Sequence, residues 1–458
     1  MSLATPANLR RLQRALYATA KRDPARRFHV LYDKVWREDI LAHAFALSRE
    51  NGGAPGVDGV TFAQIEAYGV ARWLGELREE VRTGRYTPQP VRRVMIPKSG
   101  GVGQRPLGIP TIRDRVVQTA AKLVIEPIFE ADFDEAAYGY RPRRSAHEAI
   151  RIVHKALDDG RTEVVDADLS QYFDTIPHAA LMTCLARRIS DGRMLHLLKQ
   201  WLKVPVAEPD ERGGQRMSGG KRATRGTPQG GVVSPLLANI YLHYVFDLWV
   251  QVWRQKQARG EVVVVRFADD IVLGFQHQSD AERFWKELAE RFGKFQLKLH
   301  PEKTRLLEFG PFAAENRRRH GQRKPETFNF LGFTHICWKK RSNGMFTVLR
   351  QTMRKRLQAK LSTVKTELRR RWHDPIPVVG QWLRSVVQGH LRYYGVPMNS
   401  RALQVFRFRI GWLWHRALGR RSQTGRVTWE RMRRLIEQWL PPARVCHPYP
   451  LRRMGVIT

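Results

Sequence analysis

The chain has 458 residues, which is the length of about three ordinary domains. Its hydrophobic content of 42% is enough for large cores and excludes a wholly disordered chain. Lys and Arg number 80 against 43 Asp and Glu, and the resulting net charge of +37 predicts a polyanionic partner, with nucleic acid as the first candidate.

The predicted elements mix strands and helices, and clusters of Gly, Pro and Asn mark the joints between them. In chain order, apolar periodicity predicts a strand at 91–97, a helix at 113–129, a strand at 163–169, a helix at 177–202, a hairpin at 261–275, a helix at 281–295 and a long amphipathic helix at 349–372. Because the mixture has no strict βαβ rhythm, the central region is predicted to be α+β and the tail all-helical.

The hairpin at 261–275 has an acidic centre, with Asp269 and Asp270 between two apolar runs. Such acids are common in ordinary turns, where Asp satisfies nearby backbone groups. A phosphoryl-transfer site is the sharper alternative, because it needs shared carboxylates to hold two Mg²⁺ ions about 4 Å apart. Candidates for a third carboxylate lie in or just after the acidic strand that precedes the hairpin: Asp166, Asp168 and Asp174.

The tail carries most of the surplus charge. From residue 341 onward there are 25 Lys and Arg against 4 Asp and Glu, and 6 of the 13 tryptophans also lie there. A small helical domain with an aromatic core and solvated arginines explains a single tryptophan better than a binding role does. For the charge imbalance we prefer nucleic acid, because cations interleaved with aromatics suit phosphate contacts and base stacking.

Eight short blocks occur in a fixed order: PGVDG at 55–59, RPLGIP at 105–110, YGYRP at 138–142, DLSQYFD at 168–174, GTPQGGVVSP at 226–235, FADD at 267–270, HPEKT at 300–304 and FLGF at 330–333. This ordered set resembles reverse transcriptases, and in particular bacterial group II intron-encoded reverse transcriptase/maturases. The segment GHLRYY at 389–394 is similar to the thumb/maturase region of that family. The one departure noted is Phe267, where the family usually has Tyr, and the loss of one hydroxyl should leave metal binding intact.

The resemblance implies a right-hand polymerase of α+β class, with fingers and palm followed by an all-helical thumb/maturase domain. The expected domains are an N-terminal extension and fingers with the first part of the palm at 1–160, the palm with the catalytic carboxylates at 161–340, and an RNA-binding, domain X-like thumb/maturase region at 341–458. The implied function is RNA-directed DNA polymerisation, a nucleotidyl transfer, together with binding of group II intron RNA to assist splicing and mobility. Two alternatives stay open: an intron-independent reverse transcriptase used in phage defence or with CRISPR, and a splicing maturase with little polymerase activity.

The resemblance also assigns roles to residues. Metal ligands are expected at Asp168, Leu169, Asp269 and Asp270, and the cofactor would be two Mg²⁺ ions, for which Mn²⁺ can substitute. Nucleotide contacts are expected at Lys98, Arg105, Phe173, Gln229 and Lys303. The primer grip is expected at Leu331, Gly332 and Phe333, and further nucleic-acid contacts at Arg369, Arg370, Arg371, Arg392, Tyr393 and Tyr394.

Several of these positions also have ordinary structural explanations. Lys98 and Lys303 suit solvated lysines, and the arginines at 369–371 suit a solvated helix end. Phe173 matches the aromatic that excludes a ribose 2′-OH, but it also suits a core position where a strand meets a helix.

The implied partners are an RNA template, group II intron RNA, a DNA primer or target and dNTPs, with a homodimer as an open possibility. No run approaches the ~18 apolar residues of a spanning helix, so no membrane is expected. The basic N-terminus has no apolar signal region, and the 3 widely spaced cysteines fit a reducing compartment, so a bacterial cytoplasmic location is predicted. Because no Cys pair or His cluster follows Cys446, we expect no C-terminal endonuclease.

Overall fold

The computed structural model describes residues 3–97, 103–209, 214–322, 324–340, 343–421 and 427–448. Its N-terminal third is mainly helical: α1 (Ala7–Arg22), α2 (Tyr32–Val35), α3 (Glu38–Asn51), α4 (Phe62–Tyr68), α5 (Val70–Arg82), α6 (Ile112–Glu130) and α7 (Ala146–Asp158). Helix α6 is buried on most sides, and both α1 and α3 pack against it. The Thr111 side chain caps it by accepting a hydrogen bond from the Asp114 backbone N–H, which satisfies one of the open donors of the first turn. The helix predicted at 113–129 is thereby confirmed.

The described residues form eleven strands in three sheets. The strands are β1 (Val91–Pro97), β2 (Gln104–Ile109), β3 (Glu163–Asp168), β4 (Pro205–Pro209), β5 (Gln215–Gly219), β6 (Val262–Phe267), β7 (Asp270–Phe275), β8 (Arg305–Glu308), β9 (Thr327–Phe330), β10 (Phe333–Lys339) and β11 (Phe346–Thr352). The sheet orders are β2-β1-β4-β5, β6-β7-β3-β8 and β11-β10-β9. The strands predicted at 91–97 and 163–169 and the hairpin at 261–275 are confirmed.

The central sheet, β6-β7-β3-β8, is covered on both faces. Helix α7 packs on one face, where Val153 meets Val265 and Val272, and α13 packs on the other. The helices in the middle of the chain are α8 (Tyr172–Thr175), α9 (His178–Ala186), α10 (Gly192–Leu202), α11 (Ser234–Leu242), α12 (Leu248–Lys256), α13 (Gln278–Lys294) and α14 (Ala313–Arg319). Cover on both faces explains why β6 and β7 are near-continuous apolar runs, and α13 confirms the helix predicted at 281–295.

The single helix predicted at 177–202 is wrong, because α9 and α10 are separate. The Asp191 side chain accepts a hydrogen bond from the backbone N–H of Met194 and so begins α10. The same carboxylate also accepts hydrogen bonds from the backbone N–H groups of Leu31 and Tyr32. The segment Ser190-Asp191-Gly192 carries the sequence signal for this cap, because Asp is a preferred N-cap residue and Gly favours a break.

The tail contains α15 (Arg354–Arg370), α16 (Ile376–Tyr394), α17 (Ser400–Leu418) and α18 (Trp429–Trp439). The helix predicted at 349–372 is wrong at its start, because residues 346–352 form β11, which pairs with β10. Thr347 and Val348 are β-branched and buried, which favours a strand there. The predicted all-helical tail is therefore corrected to a strand followed by four described helices, and the predicted boundary after residue 340 falls inside the β10–β11 hairpin. No helix in the described ranges is long and apolar enough to cross a membrane.

Candidate active site

The central sheet brings the acidic residues together. In the antiparallel register of β3 and β7, Asp168 lies directly opposite Asp270. Asp269 occupies the two-residue turn between β6 and β7, after Ala268, whose φ of 59° is in the left-handed region. Two sequence-distant segments thus place three carboxylates at one end of the sheet.

These carboxylates repel one another in a buried setting. Burial, followed by the charges of Asp269, Asp168 and Asp166, raises the pKa of Asp270 to about 7. Burial also raises the pKa of Asp269, and the charge of Asp168 adds to that rise. Carboxylates crowded together in this way attract cations.

The two competing acids lie in different surroundings. Asp166 forms an ion pair with Arg305 of β8, with 3.6 Å between the guanidinium nitrogen and the carboxylate oxygen. Burial nevertheless raises the pKa of Asp166 to about 7, against the charge of Arg305. Asp174 accepts a hydrogen bond of 2.9 Å from the Gln229 side chain and does not face Asp270 across the sheet.

Lys303 forms an ion pair with Asp168 and is therefore at the acidic cluster, although its side chain is exposed. The segment that carries it is tied to the same strand end, because the His300 backbone N–H donates to the Asp168 carbonyl at 2.7 Å. Within the described ranges, no three His, Cys, Asp or Glu side chains already stand in a metal-binding arrangement, and Lys303 occupies one oxygen of Asp168. The donor chemistry still fits a hard divalent cation, because carboxylate oxygens are its preferred ligands.

Leu169 follows Asp168, and its side chain is buried in the main core. Only its backbone carbonyl is therefore available as a ligand. Arg105 is exposed on β2. Burial raises the pKa of Asp269, and the positive charge of Arg105 partly offsets that rise. Lys98, the other predicted triphosphate contact, lies outside the described residues.

Phe173 and Gln229 belong to one compact corner. The Phe173 side chain is 8% exposed, and its ring meets those of Tyr172 and Tyr140 edge to face, at 5.7 and 6.4 Å between centroids. The Thr227 backbone N–H donates to the Phe173 carbonyl at 2.7 Å, and the Gly108 N–H donates to the Gln229 carbonyl at 2.6 Å. The loop that carries Gln229 thus joins the central sheet region to β2.

The predicted primer-grip turn lies between β9 and β10. Leu331 and Gly332 both have positive φ values, of 48° and 86°, and Phe333 is buried beneath them. The Tyr393 hydroxyl donates to the Leu331 carbonyl at 2.8 Å, and a Cβ added at Gly332 would lie 2.9 Å from the Tyr394 hydroxyl. These two tyrosines of α16 are half-buried behind the turn, whereas nucleic-acid contact had been expected of them from the resemblance.

The predicted tail arginines differ in their partners. Arg370 pairs with Glu367 at 2.8 Å, and Arg371 pairs with Asp374 at 3.3 Å and lies over the Trp382 ring. Arg369 instead lines a narrow groove between α15 and α17, with these neighbours: Lys365, Trp372, Arg416 and Arg420. Arg392 is exposed on α16.

Sequence reasoning missed the residues that support the turn carrying Asp269. Arg266 is fully buried and donates two hydrogen bonds to Asp247, at 2.7 and 2.6 Å, and others to Asn239 and to the Ala268 carbonyl. Asn239 in turn donates to the Gly139 carbonyl at 2.6 Å. An arginine within an otherwise apolar strand was the available signal, but its partners are distant in sequence.

Comparison with known proteins identifies the family. Residues 96–335, more than half of the chain, match the family described as reverse transcriptase (RNA-dependent DNA polymerase). The chain belongs to the reverse transcriptase family. It is therefore an RNA-directed DNA polymerase, and the predicted right-hand α+β fold is confirmed at that level.

The chain is also similar to individual proteins. The polymerase is 36% identical to Protein YkfC of Escherichia coli, over 73% of this chain and 97% of that protein. It is 34% identical to the Group II intron-encoded protein LtrA of Lactococcus lactis, over 47% of this chain and 34% of LtrA. A solved telomerase from Candida albicans has 13% identity over 78% of this chain and 64% of its own, with a TM-score of 0.41.

Proposed function

We propose that the chain copies RNA into DNA with two Mg²⁺ ions, and that it binds a group II intron RNA to assist splicing and mobility. The observation that carries the proposal is the β3–β7 register, which sets Asp168 opposite Asp270 and near Asp269. The proposed partners are an RNA template, a DNA primer or target, and dNTPs. Identity to the intron-encoded LtrA supports an intron RNA as a further partner, over the third of LtrA that is matched.

Asp168, Asp269, Asp270 and the backbone carbonyl of Leu169 would hold the metal ions. When bound, the ions activate the primer 3′-OH and stabilise the leaving pyrophosphate oxygen. The mutual repulsion that raises the pKa of Asp270 fits this role, because a divalent cation would relieve it. Asp166 lies opposite Val272 in the register of β3 and β7 and pairs with Arg305, so Asp168 is the β3 carboxylate that faces Asp270.

The surrounding residues would bind the incoming nucleotide. Arg105 and Lys98 neutralise the triphosphate, and Gln229 contacts the nucleotide or template from its Gly-rich loop. Phe173 presents a flat ring against C2′ of the sugar and leaves no room for a 2′-OH. Lys303, which pairs with Asp168, would supply a positive charge, or a proton, to the departing pyrophosphate.

The remaining contacts would hold the nucleic acids. The Leu331–Gly332 turn grips the primer end, with Phe333 fixing it from below and the tyrosines of α16 acting through the turn. In the tail, the groove around Arg369 offers four cations beside an indole ring, which suits phosphates and stacked bases. Arg392 would add a further phosphate contact.

Paired assays on one variant test the proposal. The double substitution Asp269→Asn/Asp270→Asn keeps side-chain size and removes the charge that balances Mg²⁺, so primer extension on RNA should fall by roughly three orders of magnitude or more. Splicing at low Mg²⁺ of intron RNA transcribed from the DNA flanking the gene should stay near normal, because structured RNA is recognised through shape, backbone and stacking. The matched control is Glu290→Gln, an exposed acid on α13, which should change neither activity.

Near-normal extension by the double variant would reject the carboxylate assignment. Loss of both activities in a folded variant would mean that polymerisation and splicing share one site. Splicing that is unaffected by addition of the wild-type protein would reject the intron-RNA role and leave the polymerase assignment in place.

A further inference from the structure

Tyr140 lies at the edge of the candidate nucleotide corner. Its side chain is 51% exposed, and its ring meets the Phe173 ring at an interplanar angle of 80° and 6.4 Å between centroids. Burial raises the pKa of this tyrosine, and the charges of Asp269 and Asp270 add to the rise, whereas the charge of Arg105 lowers it. The phenol therefore lies close to the acidic cluster and to the arginine predicted to contact the triphosphate.

The backbone holds Tyr140 in this position at a conformational cost. Its φ of 58° is in the left-handed region, which is unusual for a bulky residue and needs support from its surroundings. That support comes from Gly139, where an added Cβ would lie 2.3 Å from the Ala268 nitrogen, and from Asn239, which donates to the Gly139 carbonyl at 2.6 Å. Tyr140 and the turn that contains Ala268 and Asp269 are therefore fixed relative to one another.

Two tyrosine rings contact that of Phe173. The Tyr172 ring centroid is 5.7 Å away, and its hydroxyl donates to the buried Ala238 carbonyl at 2.6 Å. The other described aromatic ring in contact with Phe173 is that of Tyr140, which, unlike Tyr172, is itself exposed. Loss of the Tyr140 ring would remove one of these two contacts and expose more of the Phe173 ring.

We propose that Tyr140 is a specificity-determining residue whose ring forms the second wall of the sugar slot and keeps the Phe173 ring where it excludes a ribose 2′-OH. The inference rests on the proposed function, because it assumes that Phe173 faces the sugar of the incoming nucleotide. The ring performs this role, and the hydroxyl is not needed for it. Tyr140 acts on the nucleotide through Phe173, by holding the Phe173 ring in position.

The test measures kcat/KM for dCTP and for CTP on one RNA template, and compares their ratio between variants. Tyr140→Ala should lower the preference for dCTP about tenfold, the factor that corresponds to the loss of one aromatic pair. Tyr140→Phe should keep the wild-type preference, since it keeps the ring. A purely structural defect would lower both kcat/KM values together and leave their ratio unchanged.

A second comparison asks whether the two rings act as one unit. Phe173→Ala should lower the preference further than Tyr140→Ala, and the double variant should match Phe173→Ala alone, because there is then no ring left to position. The matched control is Tyr17→Ala on α1, a tyrosine that is also exposed and remote from the site, which should leave the ratio unchanged.

The outcomes separate this inference from the proposed function. Wild-type protein that makes no DNA would reject the proposed function. Wild-type protein that makes DNA, combined with an unchanged ratio in Tyr140→Ala or in Phe173→Ala, would overturn the inference alone. An equal loss of preference in Tyr140→Phe and Tyr140→Ala would also overturn it, because the hydroxyl and not the ring would then be responsible.

Discussion

At the scale of single residues, the acidic end of the central sheet contains carboxylates that bind protons near neutral pH. Asp166 and Asp270 both have a pKa raised to about 7, against about 3.9 in an unfolded chain, because they are buried beside other carboxylates. Near neutral pH, these groups therefore exchange protons easily. A metal ion must compete with those protons for the same oxygen atoms.

This competition predicts how Mg²⁺ stabilises the protein at different pH values. At pH 6, below the raised pKa, Asp270 is mainly protonated, and a bound ion must displace that proton. At pH 8 the carboxylate is ionised, so Mg²⁺ should bind more tightly and raise Tm more than it does at pH 6. Thermal melts with and without Mg²⁺ at both pH values would measure the increment. Its pH dependence should largely disappear in Asp270→Asn, and an equal increment at both pH values in the wild-type protein would contradict the prediction.

At the scale of elements, one buried ion pair supports the turn between β6 and β7. Burial raises the pKa of Asp247, but the charge and hydrogen bonds of Arg266 outweigh burial, and the net effect is a lowered pKa. The pair joins β6 to the π-helical turn His243–Asp247 that leads into α12. The turn that carries Asp269 is thus braced from within the core through the Ala268 carbonyl.

Removal of one partner should therefore be costly. Arg266→Leu leaves the Asp247 carboxylate buried without its cation, and the free energy of unfolding should fall by about 3–5 kcal/mol. Replacing both partners with Leu should cost less than the sum of the two single changes, because no unpaired charge is left behind. Urea unfolding would provide these values, with Arg254→Leu on the exposed side of α12 as a control expected to stay within about 0.5 kcal/mol. A loss below about 1 kcal/mol in Arg266→Leu would show that the pair is not needed for stability.

The elements differ in how far the sequence alone predicts them. The strand at 163–169 and the hairpin at 261–275 are predictable, because each contains a short run of β-branched apolar residues, which favours a strand. The start of α15 is not predictable, since the apolar period of Leu349, Met353 and Leu357 continues through it. The break before α10 is signalled by Ser190-Asp191-Gly192, which the prediction of a single helix at 177–202 overlooked. Tyr140 and the partners of Arg266 stayed hidden for a different reason: their contacts join segments that only the folded chain brings together.

At the scale of the whole molecule, the surplus charge is not spread evenly over the surface. In the tail, Arg370 and Arg371 have acidic partners within three residues, whereas Lys365, Arg369, Arg416 and Arg420 meet around Trp372. The charges of Arg370 and Arg371 are therefore partly neutralised by nearby acids, whereas Arg369, next to them in sequence, lies among other cations. The cations in the groove are the ones expected to replace counterions on a bound polyanion.

This difference predicts unequal effects for two neighbouring substitutions. Arg369→Gln should weaken RNA binding and lower the slope of log K against log salt by about 0.7 to 0.9, the contribution of one neutralised phosphate. Arg370→Gln should have a smaller effect on both quantities, because Arg370 already pairs with Glu367. Filter binding over a salt series would measure the two slopes. Equal slopes for the two variants, or a flat response in the wild-type protein, would show that the groove is not the RNA contact.

The strand order of the central sheet has a consequence for synthesis of the chain. Strand β3 lies between β7 and β8, and both of these partners are translated after it. A nascent chain therefore displays β3 with two unpaired edges, a state that is prone to aggregation for an apolar strand. Asp166 and Asp168 are ionised while the strand is in water, and such charges act as gatekeepers against edge-to-edge pairing. The acids that later lie close together at one end of the central sheet thus also protect the unfinished protein.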